Sequence, residues 1–218
     1  MTIRAQFLSV LISAASLSPS TGHAAFPPVT LKGGLSIASI SGQAPSFDPE
    51  SKLGIMGGVE VAFPAHSGLT VCPEVGFAMR GFSYGESEFT DEAGNTTGTF
   101  ETLSSTLCAT LAVPLRIALT DAGPARIEAL AGAMLAFEIG ERFVTTGDSE
   151  TSMKSDVLRG TDYGLIGGGA VHFPAGPGRW VIEGRYVYGF ARLSRGGPVE
   201  ANTRAIEIVT GYTFNPRR

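Results

Sequence analysis

Charge is scarce in this chain: Asp, Glu, Lys and Arg make up 17% of its 218 residues, against roughly 25% in an average soluble domain. The net charge of −4 comes without any basic cluster, which argues against a nucleic-acid-binding role. Cysteine occurs twice, at Cys72 and Cys108, too few for a Cys-rich scaffold or a four-thiolate zinc site. Beyond the N-terminal leader no window approaches 18 uninterrupted apolar residues, so a polytopic helical membrane protein is excluded. Helical periodicity is missing as well. What the chain does have is 43% hydrophobic residues, too many for a disordered chain, and 29 glycines, about twice the average share of roughly 7%.

Residues 1–24 read as a secretory signal peptide. Arg4 supplies the positive region, residues 7–17 the short apolar core, and Gly22-His23-Ala24 the small residues at the cleavage site. That core is too short to span a bilayer, and Pro27-Pro28 follow it as helix breakers. Residues 25–218 then form one exported domain with no internal linker.

From Val29 onward the hydrophobic period is two. Eight runs alternate in this way: 29–37, 53–63, 69–80, 103–116, 127–138, 162–173, 180–190 and 206–214. Short connections rich in Gly and Pro, at 64–68, 120–125 and 174–179, suit tight turns. They alternate with long polar ones at 41–52, 85–101, 140–160 and 194–203. The pattern predicts an all-β fold, an eight-stranded antiparallel up-and-down transmembrane β-barrel.

Alternation alone fits a soluble barrel equally well, so the faces must be assigned. One phase holds Lys32, Glu60, Glu74, Arg80, Arg116, Glu128, Glu138, Asp162, Glu183, Arg185 and Glu207, while the other carries essentially no charge. A solvated exterior would be richer in Lys and less cleanly divided. Aromatics point the same way. Phe63, Phe173, Trp180 and Phe214 lie at the short-turn end, and Phe137, Tyr163, Tyr188 and Phe190 toward the long-loop end. Two belts around an aliphatic band match the girdles of a membrane barrel.

Three segments resemble the PorT-like outer-membrane β-barrel family, small barrels of the OmpA/OmpX architecture. They are Val71-Cys-Pro73-Glu74-Val75-Gly-Phe77-Ala-Met-Arg80-Gly81, Leu111-Ala-Val113-Pro114-Leu115-Arg116 and Glu183-Gly-Arg185-Tyr186-Val-Tyr188-Gly189. The resemblance runs over residues 29–214 and implies a bacterial outer-membrane location with no shared chemistry. Barrels of this kind commonly end on an aromatic residue, whereas here Asn-Pro-Arg-Arg follows Phe214.

Catalytic motifs are few. After the leader, histidine occurs only at His66, in a short turn, and His172, near a strand end. Glu74 and Glu183 are a possible acid–base pair. Arg80, Arg116 and Arg185 share their phase, however, so an interior charge network of Glu60, Glu74, Arg80, Arg116, Glu128, Glu183, Arg185 and Glu207 is the first reading. Gly167-Gly168-Gly169 lacks the helix and the Lys-Ser/Thr of a phosphate loop. The acidic stretch 86–92 does not follow an EF-hand order, and Asn95 opens a formal glycosylation acceptor.

The expectation is therefore a monomeric outer-membrane barrel with a plugged polar interior, no enzymatic activity, no cofactor and no metal. Its partners are membrane lipid and a protein or surface ligand at the long loops, not nucleic acid. Two alternatives stand beside it. One is a barrel enzyme at the rim, with Ser149, Glu150 and Ser152 as generic candidates; the other is a soluble secreted barrel holding an apolar ligand. Cys72 and Cys108 share the inward phase of neighbouring strands and form a possible disulfide, provided the register brings them together.

Overall fold

The computed structural model describes residues 26–42, 50–66, 68–90, 96–120, 124–146, 151–153, 160–190 and 201–214. The leader at 1–24, Asn95, Ser149 and Glu150 lie outside them. The strands in chain order are β1 Val29–Gly42, β2 Glu50–Val61, β3 Phe63–His66, β4 Leu69–Val71, β5 Glu74–Thr90, β6 Thr96–Thr120, β7 Arg126–Thr146, β8 Thr151–Met153, β9 Thr161–Ala175, β10 Gly178–Gly189 and β11 Ala201–Phe214.

Eleven segments make eight staves. β3 prolongs β2, and β4 runs into β5 on an unchanged register with β6, Val71 facing Leu115 and Glu74 facing Ala112. The break falls at Cys72-Pro73, where proline has no N–H to donate. The Val61 N–H bonds the Pro73 carbonyl at 3.0 Å and the Cys72 N–H bonds the Pro114 carbonyl at 2.9 Å, so the ladder is carried across. β8 is a short addition beside β7, Ser152 facing Val144.

The sheet closes on itself because β1 pairs antiparallel with both β2 and β11. One register line can be followed around the wall from Thr30 through Glu60, Glu74, Ala112, Met134, Gly164 and Gly189. One rung beyond Tyr188 and Arg204 it crosses to Thr203 and meets β1 again at Ile40, ten residues above its start. A stagger of ten over eight staves, with a rise of about 3.3 Å and a spacing of about 4.8 Å, tilts the strands by about 40°. The resulting lumen is just wide enough for side chains to fill.

Turn chemistry fits the short end. Between β9 and β10 the loop is the pair Gly176-Pro177, with Gly176 at φ 58°, the left-handed region that glycine tolerates, and proline fixing the next residue. At the other end the strands run further than their sequence period. The β5–β6 ladder reaches Thr90 opposite Thr96, so the long connection expected at 85–101 is largely paired strand, and β7 continues to Thr146 into the one expected at 140–160. Beyond the bilayer neither face is selected for apolar residues, so no period of two marks those rungs.

The faces separate cleanly. Leu31, Leu35, Ile55, Val75, Leu115, Ile182, Ile206 and Ile208 are exposed on the outer wall, whereas Lys32, Glu60, Glu74, Arg80, Arg116, Glu128, Glu183, Arg185 and Glu207 are buried in the lumen. For a chain in water this would be an inside-out protein; in a bilayer it is the expected arrangement.

Candidate functional site

The lumen is the site. Lys32 projects from β1 between two glycines on the adjoining strands, Gly58 on β2 and Gly211 on β11. A Cβ on Gly211 would stand 2.5 Å from the Leu31 carbonyl and 3.2 Å from the Lys32 side chain, so glycine clears the space that the lysine fills. The ammonium reaches Glu60 at 2.6 Å, Glu74 at 2.9 Å and Glu183 at 3.1 Å.

From this hub the pairing runs along the barrel axis. Toward the short turns, Arg116 donates to Glu60 at 2.8 Å, to Glu183, and at 3.5 Å to Glu128. Glu128 also takes Arg126 at 2.7 Å and His172 Nε2 at 3.0 Å. Toward the long loops, Arg185 Nη1 lies 3.0 Å from Glu74 and 3.3 Å from Glu183, while its Nε donates to Glu207 at 2.6 Å. Arg80 is held more loosely, 3.7 Å from Glu207 and 3.6 Å from the Met134 sulfur. Five carboxylates thus meet four interior cations and Arg126 at the mouth. Each carboxylate has a cation within reach, which is what makes so much buried charge tolerable.

All eight residues grouped as an interior network from the sequence therefore lie in the lumen, and contacts join every one of them. The sequence reading had Lys32 on the right face without its role as hub, and it missed the clamp of Arg126 and His172 on Glu128. The i to i+2 spacing of Arg126 and Glu128 on one strand face was the available signal. The proposed acid–base pair Glu74 and Glu183 is bridged by Lys32 and Arg185, an arrangement that neutralises both carboxylates rather than leaving one free to take a proton.

The possible disulfide is corrected. Cys72 and Cys108 are free and buried. Cys72 lies across from Pro114, and Cys108 pairs with Ala78, six residues along the strand from Cys72. At about 3.3 Å per residue that is roughly 20 Å, far beyond the about 7 Å that a disulfide spans. Above Arg80 a small cavity of about 60 Å³ touches Cys108, Glu138, Asp162 and Thr203. It has room for a water or two and not for a drug-sized ligand. Among the described residues no three His, Cys, Asp or Glu side chains gather as a metal group.

On the outside, aromatic rings form contacts at both ends. Trp180, Tyr212 and Phe214 stack edge-on at 5.7 and 4.8 Å near the short turns, with Phe63 and Phe173 exposed at the same end. Tyr163, Tyr188 and Phe190 cluster at 6.2 and 5.4 Å near the long loops. Ten residues separate Trp180 from Phe190; at a tilt of about 40° they cover about 25 Å, the height of a barrel's apolar band.

The chain has no match among curated proteins. It is similar to several solved barrels. The attachment invasion locus protein Ail of Yersinia pestis, solved with the heparin analogue sucrose octasulfate, is 14% identical, covers 87% of this chain and 99% of its own, and gives a TM-score of 0.44. Neisserial surface protein A is 14% identical over 86% of this chain and 96% of its own, with a TM-score of 0.43. OprG of Pseudomonas aeruginosa is 12% identical over 88% and 97%, with a TM-score of 0.40. The family model of the outer membrane protein beta-barrel domain matches residues 28–195. With that match over most of the chain, on a closed barrel whose apolar face looks outward, this protein belongs to the outer membrane protein beta-barrel domain family and resides in the bacterial outer membrane.

Proposed function

We propose that this chain is exported behind a cleaved leader at residues 1–24 and acts as a monomeric, non-enzymatic surface barrel. Its short turns face the periplasm, and its long connections face outward in a structural, adhesion or protein-interaction role. The observation that carries this reading is the filled lumen: Lys32, Arg116 and Arg185 bind Glu60, Glu74, Glu183 and Glu207 across the full width of the barrel. That cross-bracing leaves side chains where a channel or a ligand pocket would need space. His172, held by Glu128 at the short-turn end, is not placed for rim catalysis. The three strand motifs around Glu74, Pro114 and Arg185 support a kinship with the PorT-like barrels.

Protease shaving of intact cells, combined with conductance measurements on the purified barrel in planar bilayers, tests this reading. We expect cleavage within the long connections, none at the 176–177 turn, and no steady current. Cleavage at the short turns, or a stable open conductance, contradicts it.

A further inference from the structure

Among the described residues, Arg204 is the exception on the outer wall. Its neighbours in phase along β11, Ile206 and Ile208, are exposed and apolar, and Arg204 itself is exposed. It stands directly opposite Tyr188 of β10, with its guanidinium carbon 5.8 Å from the centre of that ring. Asn202 donates from Nδ2 to the Tyr188 hydroxyl at 3.0 Å. Among the described residues Arg204 makes no ion pair, whereas Lys32, Arg80, Arg116 and Arg185 in the lumen each meet one or more carboxylates.

Its height is informative. Arg204 lies ten residues above Phe214 of the short-turn belt, the same separation as Trp180 and Phe190, so it sits in the long-loop belt at headgroup level. A charge deep in the apolar band costs several kcal/mol, but near an interface the cost falls toward zero and the side chain reaches for polar groups. The chemistry that meets a guanidinium there is phosphate, which accepts from its forked N–H groups, while the Tyr188 ring keeps the guanidinium plane in place.

We propose that Arg204, positioned by Tyr188 and with Asn202 beside it, forms a site on the outer wall that binds the phosphate of an outer-leaflet lipid headgroup. The site rests on the orientation given above only for its leaflet, and protease shaving tests that orientation separately.

The test is native mass spectrometry of the refolded full chain released from micelles containing bisphosphorylated lipid A, phosphate-free lipid A or inorganic phosphate alone. Arg204→Gln and Arg204→Lys are run in parallel, each checked for heat-dependent gel mobility as evidence of folding. The unaltered chain should retain phosphorylated lipid A several-fold more than Arg204→Gln, with Arg204→Lys between them, and should retain neither phosphate-free lipid nor free phosphate. Equal retention by the folded Gln variant overturns the site. Equal retention of phosphate-free lipid overturns phosphate recognition, and tight binding of inorganic phosphate overturns the lipid as its source.

Discussion

Ile182 and Glu183 are neighbours on β10, yet Ile182 is 54% exposed on the outer wall and Glu183 is 1% exposed in the lumen, where it touches Lys32, Arg116 and Arg185. One peptide step crosses from lipid to a salt-bridged interior because successive side chains of a strand point to opposite faces. Repeated along every stave, that step makes the barrel a membrane protein.

Gly184, next on the outer face, tests the lipid side without steric interference, since a Cβ there meets nothing within 4 Å. Gly184→Leu should leave stability unchanged or slightly raised in urea unfolding from bilayers. Gly184→Arg should cost about 2–4 kcal/mol, the penalty for a cation near the middle of the apolar band.

Glu183→Gln tests the lumen. It removes one partner from three cations, but each keeps another: Lys32 retains Glu60 and Glu74, Arg116 retains Glu60 and Glu128, and Arg185 retains Glu74 and Glu207. The expected loss is therefore at the low end of the range for breaking a buried pair, about 3 kcal/mol. The same urea titration measures it, and unchanged stability would mean that the lumen is wet enough to screen the loss.

For the cysteines, alkylation of the denatured, unreduced chain should add two labels by mass. The folded barrel should react far more slowly, because both thiols are buried. A single species lacking both labels would indicate a bridge that the register does not permit.

Much of this was legible in the sequence because a membrane barrel imposes one rule on every rung between the girdles. Val29 to Ile37 and Ile206 to Phe214 alternate so regularly that strand, face and end could be read directly. The extent of β5, β6 and β7 beyond the girdle could not, since there the period of two disappears from the sequence. The hub at Lys32 was hidden for another reason. Its partner Glu183 lies two staves away, on β10 beyond β11, and the ten-residue stagger that brings the two together is a property of closure rather than of any local segment.

The most direct test of the central claim, apolar phase to lipid and charged phase to lumen, is a cysteine scan along β11 in a chain carrying Cys72→Ser and Cys108→Ser. Spin labels at positions 206, 207, 208 and 209, each in a variant shown to fold, would be challenged with a lipid-soluble relaxation agent. Strong contact at 206 and 208 with little at 207 and 209 is the expected result. Contact at 207 and 209 with none at 206 and 208 would turn the barrel inside out and contradict the account.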